Sequence, residues 1–174
     1  LFISQASSDF IIAEIFFTGT VTEEGKQYNG DKYIKIYNNT NNVLYADGLS
    51  ILESEFMTVD KQDYTPDIMK QAMAVSSIIT IPGNGTQYPV NPGEYIIIAD
   101  NGINHQAQNS NSIDLSKADF EIFYEDSDDI DNPDVPNMLT PYDKFGFHNR
   151  GFHSYAIARL GDIETYLQNY KYDY

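Results

Sequence analysis

The segment Asp31-Lys-Tyr-Ile-Lys-Ile-Tyr-Asn38 limits the fold more than any other stretch of the chain. Its side chains alternate: Ile34 and Ile36 share one face, and Tyr33, Lys35 and Tyr37 share the other. That period of two belongs to a strand buried on one side only. A second run, Ile11-Ile-Ala-Glu-Ile-Phe-Phe17, comes before it and reads as a strand with Ile11, Ala13, Ile15 and Phe17 on one face. Ile12, Glu14 and Phe16 fall on the opposite face, so both faces are expected to be covered. Asn38-Asn-Thr-Asn-Asn42 supplies a polar, turn-rich exit. Two such strands close together commit the chain to a β-sheet core from its start.

Further strands follow at short intervals. Residues 43–51 read as a third strand broken at Asp47-Gly48, a turn dipeptide. Residues 75–81 are β-branched and stop at Pro82-Gly-Asn-Gly85, and Pro92-Gly-Glu94 feeds the apolar run Tyr95-Ile-Ile-Ile-Ala99. Residues 104–112 form an Asn/Gln/Ser-rich loop, while 116–124 and 142–147 have no decisive period. The turn His148-Asn-Arg-Gly151 leads into a last alternating strand over 152–159. Two short helices are predicted. Thr65-Pro66-Asp67 offers a capping hydroxyl, a first-turn proline and an acid, followed by Ile68, Met69, Ala72 and Met73 at helical spacing. From Asp162, a second helix places Ile163, Tyr166, Leu167 and Tyr170 on one stripe. The sum is an all-β sandwich of about seven short strands, with one or two short helices in its connections. Residues 1–161 form the sandwich and 162–174 a short helical C-terminal segment. The start at Leu1 and the tail Tyr170-Lys-Tyr-Asp-Tyr174 read as the ends of a fragment of a longer protein.

Four phrases then line up in order. They are Ile12-Ala-Glu-Ile15, Gly30-Asp-Lys-Tyr-Ile-Lys-Ile-Tyr-Asn38 with Asp47-Gly-Leu49, Pro92-Gly-Glu-Tyr-Ile-Ile-Ile-Ala-Asp-Asn101, and Gly151-Phe-His-Ser-Tyr-Ala-Ile-Ala-Arg159. Their order resembles the lamin-tail domain, an immunoglobulin-like β-sandwich, although Lys35 stands where that pattern usually carries an acid. Over nearly its whole length the chain also resembles a family of Bacteroidetes surface lipoproteins carried as a domain of unknown function. The shared phrases are Glu14-Ile-Phe-Phe-Thr-Gly19, Tyr28-Asn-Gly-Asp-Lys-Tyr33, Phe56-Met57, Tyr64-Thr-Pro-Asp-Ile68, Ile81-Pro-Gly-Asn-Gly85, Asn132-Pro-Asp-Val-Pro136 and His148-Asn-Arg-Gly-Phe152. The resemblance implies an exported domain, at the cell surface or anchored to the outer membrane in the parent protein. It carries no activity across.

Charge narrows the partners. With 26 acidic and 10 basic residues the formal net charge is −16, which repels nucleic acid and anionic membrane surfaces. There is no cysteine, hence no disulfide, thiolate metal site or thiol nucleophile. No apolar run approaches the roughly 18 residues of a membrane span.

The densest polar group is the acidic stretch around Glu121, Glu125, Asp126, Asp128, Asp129, Asp131 and Asp134. Calcium takes six to eight oxygen ligands, and Asp126, Asp128, Asp129 and Asp131 are its candidate ligands here. The EF-hand spacing fails, since Ile130 stands at the fifth position and the glycine is missing, so a solvated acidic loop is the competing reading. His148 and His153 have only the distant His105 as company, too few for zinc, and read as turn histidines. No nucleophile elbow or phosphate-cradling loop occurs. Asn38-Asn-Thr40 and Asn84-Gly-Thr86 match the N-glycosylation pattern but read as turns. Glu14, inside an apolar strand, is expected to need a cationic partner such as Lys32, Lys35, Arg150 or Arg159. Tyr28, Tyr45, Tyr64, Tyr88, Phe123, Tyr124 and Tyr142 lie at or near turns, where they suit either the core or a glycan or protein ligand. The expected function is therefore a non-catalytic, cell-surface domain for adhesion or recognition, with no cofactor. An accessory domain of an extracellular hydrolase and a calcium-stiffened scaffold are the alternatives.

Overall fold

A computed structural model of the chain describes residues 8–174; residues 1–7, the start of the expected 1–161 unit, lie outside the described residues. Ten strands follow one another: β1 (Ile11–Phe16), β2 (Tyr33–Tyr37), β3 (Leu44–Tyr45), β4 (Leu49–Ser54), β5 (Val75–Thr80), β6 (Pro89–Val90), β7 (Tyr95–Ala99), β8 (Phe120–Glu121), β9 (Leu139–Tyr142) and β10 (Tyr155–Arg159). A 3-10 turn, His105–Ala107, and one helix, α1 (Ile163–Asn169), complete the elements. The first sheet runs β1-β2-β7-β8 and the second β10-β4-β5-β9, with β3 and β6 as a separate ribbon. All pairings are antiparallel except β7 with β8. This is an all-β sandwich. β1 touches β10 at one side, and a bridge from Glu121 to Asn137 joins the two sheets at the other.

The core lies between the sheets. Ile34, Ile36, Ile96 and Ile98 meet Leu49, Ile51, Ile79 and Ile81, with Phe145 and Phe147 filling one end. Each such aliphatic side chain contributes about 1.5–3 kcal/mol by leaving water. The alternation of β2 is as the sequence reads, with Ile34 and Ile36 fully buried and Tyr33, Lys35 and Tyr37 half-buried on the outer face.

β1 departs from its expected faces. Ile12 opposes Ile36 while Glu14 opposes Lys35, so Ala13 is an extra residue, a bulge that shifts the phase of the strand. Ile12 and Ile15, three apart, therefore both pack on the core, and Glu14 turns outward. Its expected partner is Lys35, at 2.9 Å, joined by the Tyr33 hydroxyl at 2.6 Å. The pair is exposed, however, and not a charge enclosed in an apolar strand.

The break expected at Asp47-Gly48 is a change of sheet, because β3 pairs with β6 and β4 with β5 and β10. Asp47 is more than a turn residue. Its buried carboxylate accepts from the amides of Gly85 (3.0 Å), Gln87 (2.9 Å) and Tyr88 (2.9 Å). Burial raises its pKa, but the Tyr88, Gln87 and Gly85 amides outweigh that and hold it below the usual 3.8. Gly83 completes the knot: at φ 124° it passes so close that a Cβ would sit 2.2 Å from the Asp47 carboxylate.

The helix expected from Thr65 does not form. The Ile68 carbonyl accepts from Gln71 and Ala72, which closes a single turn, too short to propagate against the cost of nucleation. α1 does form, with Asp162 capping the Thr165 amide at 2.8 Å. Residues 104–112 are less free than their composition suggests. His105 is buried between the Tyr28 hydroxyl (2.9 Å) and the Asn101 carbonyl (3.0 Å), and Asn109 and Ser112 reach Thr20 and Asp31. Asn38 is fully buried, holding the Asn42 and Val90 carbonyls at 2.8 Å, which takes the first glycosylation pattern away from solvent. Among the described residues no helix is long and apolar enough to cross a membrane.

Candidate functional site

β4 is buried at all six positions, so its sheet is covered on its outer face as well as its inner one. Leu52 and Ile78, paired across β4 and β5, lie on that outer face and are 5% and 2% exposed. α1 and the tail after it lie over Ile78 without closing on it. Between them runs a cleft of about 710 Å³ with Val75 and Ile78 on the sheet side, Tyr142 from β9, Met73, and Tyr166 and Tyr170 opposite. A second cleft of about 470 Å³ shares Met73 and Ala74 with the first. It is lined by Phe56, Met57, Tyr64 and Met69, with Ser54, Thr58, Asp60, Gln62, Asp67 and Ser154 as polar members.

An aromatic cluster ties the tail to the connection between β4 and β5. Phe56 and Tyr64 stack with ring centroids 4.7 Å apart and planes within 7°. Tyr174 meets Phe56 edge-on at 4.9 Å and gives its hydroxyl proton to Glu55 at 2.9 Å. Tyr172 stacks on Tyr174 and donates to the Pro66 carbonyl at 2.5 Å. The Glu55 hydrogen bond, then burial, raises the pKa of Tyr174. Burial first and then the Asp67 charge raise that of Tyr64, so these phenols stay protonated donors at neutral pH. Tyr170, Tyr174 and Met69 remain 72%, 60% and 57% exposed, which leaves large aromatic and apolar surface open to solvent beside these contacts.

The apolar residues read at helical spacing, Ile68, Met69, Ala72 and Met73, line these clefts and no core stripe. Of the turn aromatics, Tyr64 and Tyr142 come to the clefts. Tyr28 packs against His105, Tyr88 against Phe120, and Tyr124 accepts the Phe145 amide at 2.6 Å. Tyr45 is exposed on the β3–β6 ribbon, and Phe123 is half-buried. What sequence reasoning missed is the gathering of Phe56, Met57, Met69 and Met73 with the tyrosines of 166–174. Its only trace in the sequence is that three of the four methionines fall within residues 57–73.

The four candidate calcium ligands are not brought together. Asp126 pairs with Lys144 at 2.9 Å, Asp128 is exposed, Asp129 accepts from the Tyr124 amide at 3.3 Å, and Asp131 from the Asn137 side chain at 2.9 Å. Glu121, counted with them in sequence, is buried and accepts from the Gly102 and Asn132 amides, both at 2.7 Å. Burial raises its pKa, with those two amides pulling the other way. Among the described residues no three His, Cys, Asp or Glu are placed to hold a metal ion. The His148 and His153 rings lie 5.3 Å apart, with His153 Nδ1 bonded to the Ser54 carbonyl at 2.6 Å.

Asp100, at the end of β7, stands apart electrostatically. The residue is half-buried, and no hydrogen bond reaches its carboxyl among the described residues, so that carboxyl keeps contact with solvent. Burial pushes its pKa up to about 7, against the attraction of Lys32 and with the help of Asp129. Its charge is also felt by the Tyr124 and Tyr155 hydroxyls.

Residues 91–174 match a family described as a protein of unknown function, DUF4876. The chain is similar to the crystal structure of a DUF4876 family protein from Bacteroides thetaiotaomicron VPI-5482, with a TM-score of 0.70 and 27% identity over 89% of this chain. It spans 43% of the length of that relative. Both findings agree with the sequence resemblance to a Bacteroidetes domain of unknown function. No curated protein matches the chain.

Proposed function

We propose that the chain is a non-catalytic recognition or adhesion domain of an exported surface protein, and that a glycan or protein ligand is held at the paired clefts. One observation carries this reading: tyrosine and methionine side chains gather on the outer face of the β4–β5 sheet, where Met69, Tyr142, Tyr170 and Tyr174 stay exposed and the others half-buried. Tyrosine supplies broad apolar contact with a hydroxyl at its tip and few rotors to freeze, which suits recognition. The strongly acidic surface suits a domain working in solvent outside the cell.

Screening the chain on arrays of glycans and surface proteins, with each hit also assayed for turnover, tests this. The expected result is binding without turnover that is lost in Tyr170→Ala and Tyr174→Ala. Cleavage of a hit would overturn the non-catalytic reading. Binding that survives both substitutions would remove the clefts as the site.

A further inference from the structure

We infer that the occupant of the methionine-lined cleft is a basic, amphipathic protein segment, apolar on one side and bearing lysine or arginine on the other. This rests on the recognition reading above and narrows it. Three of the chain's four methionines, Met57, Met69 and Met73, line this one cleft, while the fourth, Met138, is 4% exposed in the core. Unbranched, polarizable thioethers re-pack around apolar side chains of varied shape, so a surface of them suits peptide side chains. Ser54, Thr58, Gln62 and Ser154 give the cleft polar margins, but its apolar wall of Met57, Met69, Met73 and Phe56 offers a sugar ring no donor or acceptor and suits apolar peptide side chains.

The charged members of the cleft have one sign. Asp60 and Asp67, both exposed, are its only charged lining residues. Glu55 and Asp173 stand on the adjoining cleft against a single Lys171. On a chain of net charge −16 this favours a cationic partner and disfavours an acidic one. A segment that presents leucine-like anchors every three or four residues, with basic residues between, matches both properties.

The four methionine methyl groups provide the readout. The chain carrying 13C-methyl methionine is titrated with a leucine–lysine amphipathic peptide, with its leucine–glutamate counterpart, and with a neutral β-glucan oligosaccharide. The expected result is saturable shifts of Met57, Met69 and Met73 with the leucine–lysine peptide alone, and an unmoved Met138. Asp60→Asn with Asp67→Asn should weaken that binding on the order of tenfold. Asp126→Asn with Asp128→Asn, on an acidic loop that lines neither cleft, should leave it unchanged. The inference is overturned if the three methyl signals stay still, or if the two pairs of substitutions weaken binding equally, which would make it a general attraction to acidic surface. Shifts produced by the oligosaccharide alone would overturn the basic segment while leaving the clefts as a recognition site.

Discussion

Asp100→Asn should stabilise the domain above neutral pH and do little at acid pH. The folded chain holds the Asp100 proton until about pH 7, whereas an exposed aspartate releases it at 3.8. A group with a raised folded pKa binds its proton more tightly in the fold, so stability falls as pH climbs from about 3.8 to about 7 and then levels. At 1.36 kcal/mol per pKa unit the loss is at most about 4 kcal/mol, an upper bound because the half-buried residue is screened by solvent, and equivalent to at most roughly 10 °C in Tm for a chain of this size. Asparagine keeps the shape and cannot ionise, so the variant escapes that loss. Urea unfolding followed by circular dichroism between about pH 4 and 8 should show curves that meet at the acid end and diverge by up to this amount at the other. Asp129→Asn, which removes the repelling neighbour, should gain less. Parallel curves for Asp100→Asn and the wild type would refute the reasoning. A variant weaker at every pH would mean that Lys32 holds an ionised Asp100 after all.

Three other outcomes are expected. Asp47→Ala strands the amides of Gly85, Gln87 and Tyr88 in a buried place and should cost about 3 kcal/mol, read as a lowered urea midpoint; a loss below about 1 kcal/mol would show that water replaces the carboxylate. Glu14→Gln removes an exposed pair with Lys35 and should lower stability by less than about 1 kcal/mol at neutral pH. The Tyr33 hydroxyl and then Lys35 depress the Glu14 pKa, so the difference should vanish as pH falls through its titration, and a persistent deficit in acid would contradict this origin. Millimolar calcium should leave the melting curve unmoved, because Asp126, Asp129 and Asp131 face separate partners and Asp128 is exposed; an upward shift of several degrees would favour the calcium-stiffened scaffold.

The sheet core was legible where one local period ruled. β2, β7 and β10 follow from alternation or an apolar run between turn residues, and α1 from its cap and stripe. β1 was found but its faces were not, since one extra residue at Ala13 reverses the phase and leaves no mark in composition. Thr65-Pro66-Asp67 carried every local signal of a helix, yet the chain there is drawn to the tail and closes one turn only. Strands of two residues such as β3, β6 and β8 have no period to read. The clefts were the least legible feature, because the first joins residues 55–78 to residues 142 and 166–174 and the second joins residues 54–74 to Ser154, and only packing in three dimensions brings those together.

The order of the strands has a consequence for the company this domain can keep. Followed around the molecule, β1, β2, β7 and β8 hand on through Glu121 and Asn137 to β9, β5, β4 and β10, and β10 returns to β1. The circuit is closed by packing of β1 against β10 and by the bridge at Asn137, so the sheets stay distinct while their margins lie close together. A foreign strand that paired with β1 or β10 would have to enter where those two strands already lie against one another, which obstructs the usual route by which β domains fuse to their neighbours. Copies crowded on a surface or strung in series are thereby hindered from merging through that margin and can lie side by side as separate bodies.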